Sequence, residues 1–370
     1  MTGEQSTAAP GRSDGYGGSR SQSHSTEPGA IMAREIAEQP AVLQRILDEG
    51  LPAIRETAAR IVRAKPRFVL LTARGTSDNA AYYAKYLIEI GLGLPVGLTS
   101  MSTATAYGAR PDLADVLSIT VSQSGGSPDL VAYTEMAKAA GALTLAVTNV
   151  DGSPVNQASE LALDVLAGPE KALPATKSYT AELLTLFLLV DAMRGRDGSS
   201  AKGLPELAAA VLERRDEVSK LAERYRFAAR LVITSRGYGY PTAREAALKV
   251  METSYLPAHA FSGADLLHGP LAMVDNVSPV IAIASAGAGG TALEPVLDRL
   301  RERGADLVVV GSREHVAGAS AGFVLPAGAA EEVAPILEIL PLQQLAYEVT
   351  MARGLNPDAP RALAKVTETK

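Results

Sequence analysis

Residues 121–129, VSQSGGSPD, place several small hydrogen-bond donors directly behind the apolar run ADVLSITV. Such a run followed by a helical pattern indicates a strand that gives way to a helix. The first turn of a helix binds anions because its N–H groups are unpaired and the helix dipole is positive there, and hydroxyl groups add donors without charge. Gly125 and Gly126 allow the backbone to approach a ligand closely. We expect a phosphate monoester here, and the expected donors are Ser122, Gln123, Ser124 and Ser127.

The kind of phosphate compound is narrowed by two motifs that this segment lacks. Neither the nucleotide-binding pattern GxxxxGK[ST] nor the dinucleotide-binding pattern GxGxxG occurs in it, which favours a small phosphorylated metabolite. A purely structural alternative is that Ser124 and Ser127 cap the helix and bond their own turn.

Composition restricts the remaining possibilities. The chain has 370 residues, 47% of them hydrophobic, and this length is typical of about two domains. A net charge of −6 with interspersed signs argues against nucleic-acid binding. The chain has no cysteine, which excludes disulfides and thiolate chemistry, and its four histidines leave little scope for a His-rich metal site. No run approaches the ~20 apolar residues of a membrane span. We expect a cytoplasmic protein in which residues 1–30 form a disordered Gly/Ser-rich leader.

The elements that position the donors follow from the hydrophobic pattern. An amphipathic helical segment ends at Gly50 and a second helix follows it. Short apolar runs then alternate with helical stretches, which predicts βαβ units and a parallel sheet covered by helices on both faces. The predicted strands of the first half are RFVLLTA, VLSITV and LTLAVTN. After a polar, glycine-rich linker at residues 193–206, the order begins again with RLVITSRG, SPVIAIA and ADLVVVGS.

The two halves are similar to each other. FVLLTARGTSDNAAYYAKYLIE and LVITSRGYGYPTAREAALKVME share a strand, an Arg-Gly turn and a helix. Unrelated strand-turn-helix units also look alike, but recurrence of the whole element order favours an internal duplication of a doubly wound α/β domain. We expect domains at residues 31–195 and 205–352, and a C-terminal tail at residues 353–370.

Ligands of open parallel sheets bind beyond the carboxyl ends of the strands, near the point where the strand order reverses. Thr76 and Ser77 follow the first predicted strand, and Ser122–Ser127 follow the next one. Both turns are therefore expected to contribute to one site.

Seven motifs occur in a recognisable order, namely GTSDNA, SQSGGSPD, NVDGSPV, GPEKALPATKSYT, EAALKVMETSY, DLLHGP and PDAPRALAKVTET. Together they resemble the tandem sugar-isomerase (SIS) family. More narrowly, they resemble the isomerase half of glucosamine-6-phosphate synthase and the stand-alone type II glucosamine-6-phosphate deaminases. The resemblance covers residues 35–370 and implies two SIS domains, a hexosamine phosphate substrate and a homodimer. Proton transfer alone suffices for such chemistry, so no metal or organic cofactor is expected.

The resemblance also implies roles for individual residues. Glu252 would move a proton between sugar carbons, with Lys249 one turn before it on the same helix. His268, contributed across the dimer interface, would assist ring opening, and Lys365 in the tail would reach the open-chain carbonyl. The residues implied to hold the sugar phosphate are Thr76, Ser77, Ser122, Gln123, Ser124 and Ser127.

These residue types suit that chemistry, although each has a simpler explanation. An imidazole with an unperturbed pKa near ~6.5 can exchange protons during ring opening, and a carboxylate can take the proton at C2. The simpler explanation of a helical Lys and Glu three residues apart is a solvated ion pair, and that of His268 is a turn residue. Lys365 is otherwise part of a frayed basic tail. His259, in PAHAF, is interpreted as a packing or surface residue.

Three positions depart from the pattern of the family. Met251 and Leu267 stand where relatives commonly have lysine, and Ala175 stands where they have serine. Loss of two cations and a hydroxyl is expected to make the pocket more apolar, which would suit an N-acetyl substituent. Because the chain has no cysteine and no glutaminase segment, we expect no glutamine-dependent synthesis.

Several reactions share the removal of the C2 proton. Return of a proton at C1 gives isomerisation, hydrolysis of a ketimine gives deamination, and expulsion of the C3 oxygen gives dehydration. We expect an isomerase or deaminase of glucosamine 6-phosphate or a near relative. The alternatives are a lyase that dehydrates N-acetylglucosamine 6-phosphate and a sugar-phosphate sensor without turnover. A sensor has no need of Glu252 and His268 together.

Overall fold

The computed structural model describes residues 27–361. Most of the predicted leader, residues 1–26, and residues 362–370, which include Lys365, lie outside the described residues. Residues 27–29 lead into the first helix, and the Gly29 N–H donates to Asn356 Oδ1 at 3.0 Å.

The first half of the chain forms a five-stranded parallel sheet with the order β2-β1-β3-β4-β5. The register of the central strands places Thr72 beside Thr120, so the loops that follow β1 and β3 lie next to each other. The strand order reverses between these two strands, which is where open α/β sheets bind ligands. The strands are β1 Phe68–Thr72, β2 Val96–Leu98, β3 Val116–Ser122, β4 Leu143–Thr148 and β5 Leu161–Asp164.

The second half forms a separate five-stranded parallel sheet with the order β10-β9-β8-β6-β7. Counted from its other edge, this is the order of the first sheet with β6 in the place of β1. The predicted fold, two doubly wound α/β domains related by internal duplication, is confirmed. The strands are β6 Leu231–Ser235, β7 Ala258–Ser262, β8 Pro279–Ala284, β9 Asp306–Gly311 and β10 Ala321–Val324.

Helices cover both faces of each sheet. Those of the first half are α1 Ala30–Ala37, α2 Gln39–Arg45, α3 Leu51–Ala64, α4 Gly75–Leu92, α5 Ser102–Thr105, α6 Pro128–Ala139, α7 Pro154–Ala158 and α8 Lys177–Met193. Those of the second half are α9 Leu204–Leu212, α10 Arg215–Tyr225, α11 Tyr240–Ser254, α12 Gly263–Leu267, α13 Ala288–Glu302, α14 Arg313–Val316 and α15 Ala334–Ala352.

The helices α8 and α15 lie at the centre of the molecule. Both are apolar on nearly all sides and buried along most of their length, as expected of a helix surrounded by protein. The largest hydrophobic core contains residues of both halves, and α4 of the first half packs against α11 of the second. The two domains therefore share one core, and this positions α11 beside the first sheet.

Two expectations about elements need correction. No helix ends at Gly50, because a π-helical turn at Ile46–Gly50 runs directly into α3 and Gly50 keeps helical dihedrals, φ −80° and ψ −29°. The hydrophobic pattern also predicts only six of the ten strands found between residues 27 and 361. The other strands, β2, β5, β7 and β10, are three to five residues long, and their place in the strand order puts them at sheet edges. None of these four segments contains the continuous Val-, Leu- and Ile-rich run that identifies a central strand.

Between residues 27 and 361, every helix is too short or too polar to cross a lipid bilayer.

Candidate active site

The loops after β1 and β3 are joined by an ion pair. Arg74, just before α4, donates to Asp129 Oδ2 from Nε at 2.9 Å and from Nη2 at 2.8 Å. Asp129 is buried in the first turn of α6. Neither Arg74 nor Asp129 was among the predicted site residues. The available signals were the Arg-Gly turn and an acidic residue in the first turn of a predicted helix.

Residues 122–127, here called the serine loop, extend from the last residue of β3 and are partly held by their own hydroxyl groups. Ser122 Oγ accepts from the Gly125 N–H at 3.1 Å, and Ser124 Oγ accepts from the Gly126 N–H at 3.3 Å. Ser127 is the N-cap residue of α6, but its hydroxyl makes no capping hydrogen bond. The structural alternative therefore holds for Ser124 and fails for Ser127. Gln123 is half-buried beside them.

The loop after β4 braces the serine loop from the other side. Gly125 has a left-handed φ of +61°, and a Cβ atom there would lie 2.1 Å from Ser153 Oγ. The Gly125 carbonyl accepts from the Val155 N–H at 3.0 Å. Only glycine fits this position, because both the dihedral angle and the space exclude a side chain.

Thr76 and Ser77 lie in the first turn of α4, and their hydroxyls have protein partners. Ser77 is buried and donates to Glu182 Oε1 at 2.8 Å. Burial holds the pKa of Glu182 well above its usual range, and the Ser77 hydrogen bond offsets this only in part. Thr76 donates to Glu245 Oε1 at 3.0 Å. Their implied phosphate contacts stay a prediction.

Lys249 lies at the centre of a buried charged cluster on α11. Its side chain is fully buried, and its Nζ atom is 2.7 Å from Glu252 Oε2 and 3.3 Å from Glu245 Oε1. Nζ also donates to Thr76 Oγ1 at 2.8 Å, across the boundary between the two domains. The three- and four-residue steps place all three side chains on one helix face. A solvated surface pair is therefore excluded for Lys249.

The charge of Lys249 follows from its neighbours. Burial alone lowers the pKa of Lys249, but the carboxylates of Glu245 and Glu252 outweigh it, so this pKa is raised. Lys249 is thus an ammonium group, a hydrogen-bond donor rather than a base.

The two carboxylates beside Lys249 differ in what they can reach. Glu245 is fully buried, and its oxygens accept from Thr76 and, at 2.7 Å, from Asn79 Nδ2. Glu252 keeps 20% of its side chain exposed. Of the two, Glu252 is therefore the carboxylate that can exchange a proton with a ligand.

The two histidines singled out from the sequence lie at the surface. His268 is exposed at the end of α12, and its N–H donates to the Asp265 carbonyl at 3.1 Å. Within residues 27–361 no hydrogen bond or ion pair joins its side chain to Glu252. His259 is exposed on β7 and stacks on Phe261 with ring centroids 6.2 Å apart. The interpretation of His259 as a surface residue is confirmed.

The C-terminal tail approaches the end of α11. The Arg361 N–H donates to Tyr255 Oη at 2.7 Å, and its guanidinium lies 4.8 Å from the Tyr255 ring centroid. Tyr255 follows Glu252 by three residues. Lys365 lies outside the described residues, four positions beyond Arg361. Four residues of extended chain span at most about 14 Å.

The expectation that three departures from the family pattern make the pocket more apolar stays a prediction. Met251 and Leu267 are each 40% exposed. Met251 lines an open cleft of about 350 Å³ with Arg244 and His259. Successive helical residues point about 100° apart, so Met251 turns away from the side where Glu252 meets Lys249. Ala175 is half-buried.

Two parallel sheets with the same strand order, one hydroxyl-rich loop at a strand-order reversal and a buried charged cluster between the domains define a tandem α/β protein with a candidate ligand site. The chain belongs to the SIS family: the model of the SIS domain matches residues 63–192 and 225–353.

Comparisons with individual proteins agree with this assignment. The chain is 36% identical over 359 residues to the isomerizing glutamine–fructose-6-phosphate aminotransferase of Pseudomonas putida, a match that covers 90% of this chain. It spans only 57–58% of the length of the curated relatives it matches first.

Two solved structures match this chain over nearly their whole length as well as over most of its own. A candidate phosphosugar isomerase from Silicibacter pomeroyi superposes with a TM-score of 0.81 at 33% identity, covering 89% of this chain and 99% of that one. The glucosamine-6-phosphate deaminase of Thermotoga maritima, at 21% identity and a TM-score of 0.73, shares the fold, with 92% of this chain and all of that one covered.

Proposed function

We propose that this protein is a sugar-phosphate isomerase or deaminase that acts on glucosamine 6-phosphate or a near relative. The observation that supports this most directly is the partly exposed Glu252 carboxylate held 2.7 Å from the buried Lys249 ammonium group. The names of the Pseudomonas and Silicibacter relatives point to the same kind of chemistry.

The phosphate binds, in this proposal, beside the serine loop. Ser127 has a hydroxyl with no capping bond, and the N–H groups at the start of α6 face the same edge of the sheet. Neutral donors and a helix dipole bind a dianion without a neighbouring cation, and the only arginine in this loop pair, Arg74, is held by Asp129. Ser122, Gln123 and Ser124 complete the loop, and Thr76 and Ser77 lie in the adjacent turn.

The reaction starts with ring opening, in which His268 of a second copy moves a proton from the anomeric hydroxyl to the ring oxygen. Glu252 then takes the proton at C2, and the electrons of that bond form the C1–C2 double bond of an enolamine. The π pair of the C1 carbonyl moves onto its oxygen, which takes the proton that the substrate's own ammonium group releases. Glu252 returns the proton to C1, which leaves a ketimine at C2. Water adds to this carbon, ammonia leaves, and fructose 6-phosphate remains. Lys249 stays protonated throughout and holds the Glu252 carboxylate in place, and Lys365 would contact the open-chain carbonyl.

A product assay tests the proposal. Purified protein is incubated separately with glucosamine 6-phosphate and N-acetylglucosamine 6-phosphate, and ammonia, fructose 6-phosphate and ultraviolet-absorbing products are measured. Equimolar ammonia and fructose 6-phosphate from the free amine support a deaminase. An unsaturated product from the acetylated sugar alone would instead establish the lyase, in which the C3 oxygen leaves after C2 proton removal. Tight binding of either sugar without any product would establish a sensor.

A further inference from the structure

A cavity of about 430 Å³ opens at the carboxyl edge of the second sheet, beyond β8, β9 and β10. Its volume lies within the roughly 300–1,000 Å³ range of small-molecule sites. Apolar side chains form most of its wall, including Val324, Leu325 and Leu337. None of the residues assigned to the proposed active site lines it.

The duplication shows how this cavity differs from the serine loop. The helix that follows β8 is α13, the counterpart of α6, and its first N–H groups are already occupied. The Glu331 carboxylate accepts from the Ala288 N–H at 2.9 Å and from the Gly289 N–H at 2.6 Å. The position that corresponds to the proposed phosphate site is therefore filled by the chain's own carboxylate, and a ligand must bind beside it.

The hydroxyl groups on the cavity wall are also engaged. Ser285 donates to Glu338 Oε1 at 2.5 Å, and Ser312 Oγ is 2.7 Å from His315 Nδ1. Ser312 also accepts from the His315 N–H. With its hydroxyls taken, the cavity has few donors for a sugar, and its apolar wall favours an apolar ligand body.

One cation remains at the mouth of the cavity. Arg214 is held by Glu217, by the Val324 carbonyl at 2.6 Å and by the Phe323 ring at 4.0 Å. The Arg313 side chain is exposed and makes no hydrogen bond or ion pair with any residue in the range 27–361. A free guanidinium pairs with a carboxylate, phosphate or sulfonate through two parallel hydrogen bonds.

We propose that this cavity is a second ligand site, which binds a small organic anion with an apolar, ring-sized body, and that Arg313 pairs with the acidic group. The body lies against Val324, Leu325 and Leu337, and the anion remains at the mouth. This site is independent of the reaction proposed for Glu252.

A matched pair of fluorescent probes tests the proposal in the full-length protein. 8-Anilinonaphthalene-1-sulfonate has an apolar body and an anionic group, and N-phenyl-1-naphthylamine has the same body without the charge. Both titrations are done with saturating glucosamine 6-phosphate present. Arg313→Gln is expected to weaken binding of the sulfonate about five-fold and to leave the neutral probe unchanged, because one part-exposed charged contact is lost. Arg299→Gln, an exposed arginine on α13, is the control and should change neither.

A second variant tests whether the apolar part of the ligand binds inside the cavity. Ala329→Phe places a ring in the cavity from a half-buried position in the loop after β10 and should reduce binding of both probes at least ten-fold. The proposal is overturned if the sulfonate binds Arg313→Gln as tightly as the unmodified protein, or if Ala329→Phe binds both probes normally. Because Arg313 is exposed, its variant tests the site even if the loop variant does not fold.

Discussion

Lys249 and Thr76 are 173 positions apart in the chain, yet Lys249 Nζ donates to Thr76 Oγ1 at 2.8 Å while the same ammonium group holds Glu252 at 2.7 Å. One buried cation thus connects the first turn of α4 in the first domain to the proposed acid/base in the second. The site is consequently a property of the packed pair of domains.

Glu252→Gln is expected to lower kcat by a factor of about 10²–10⁴, because general acid–base catalysis contributes roughly that much. The shape of the side chain and its contact with Lys249 are kept, so binding of the sugar phosphate should change little. Steady-state kinetics and a binding titration measure the two effects. Glu302→Gln, an exposed carboxylate on α13, is the control. Unchanged turnover in Glu252→Gln would remove this residue from its role.

Lys249→Met is expected to lower the free energy of unfolding by about 3–5 kcal/mol, because it leaves carboxylates in a buried site without their cation. Urea denaturation measures this. Adding Glu245→Gln should recover part of the loss, since Glu245 is the fully buried partner. A double variant no more stable than the single one would contradict the charge-balance explanation.

Mixing the inactive variants Glu252→Gln and His268→Gln after reversible dissociation is expected to restore activity if His268 completes the site of a second copy. Random pairing in a dimer leaves about a quarter of the sites with both native residues. The measurement is turnover of the mixture relative to the unmodified protein. No recovery, with mixed dimers shown by mass spectrometry, would place both residues in one chain's site.

Gly125→Ala is expected to destabilise the serine loop more than Gly152→Ala does. Both glycines have φ above +60°, but only the new methyl group at Gly125 meets an atom, Ser153 Oγ at 2.1 Å. The dihedral strain common to both costs about 1–3 kcal/mol, so the difference between the variants isolates the clash. Thermal unfolding and KM for the sugar phosphate are measured, and KM should rise only for Gly125→Ala. Equal effects of the two variants would show that the close approach is unimportant.

Glu338 gives a pH-dependent prediction. Burial raises its pKa from 4.5 to about 7, with Ser285 and Thr242 hydrogen bonds opposing this. Between these values the native chain binds more protons than the unfolded chain, so this contribution to stability is present below pH 4.5 and is lost as pH rises to 7.

Glu338→Gln removes that titration. The stability of the variant relative to the unmodified protein should therefore rise between pH 4.5 and 7, by up to about 3 kcal/mol at about 1.4 kcal/mol per pH unit, and stay level above pH 7. Urea denaturation at a series of pH values measures the difference in unfolding free energy between the variant and the unmodified protein. The contributions of the other titrating groups are the same in both proteins and cancel. A difference that does not vary with pH would show that Glu338 titrates normally.

Much of this molecule follows from local pattern. Val-, Leu- and Ile-rich runs between helical stretches identify the central strands, and the repeated order identifies two doubly wound domains. The positions of the serine loop and of the Lys249–Glu252 pair could be predicted, because each depends on neighbours within one turn or one helix. The edge strands and the helical Gly50 could not be predicted in this way, since the edge segments lack a continuous Val-, Leu- and Ile-rich run and a single glycine is tolerated inside a helix.

The sequence by itself determined the fold class, the duplicated order and the positions of the serine loop and of the Lys249–Glu252 pair, because each depends on contacts between residues near in the chain. Only the tertiary structure decided that Lys249 is buried, that Thr76 and Ser77 bond to Glu245 and Glu182, that Arg74 holds Asp129, and that Met251 is exposed. Those outcomes depend on how two sheets and two central helices pack, which brings together groups that are far apart in the chain and excludes water from between them.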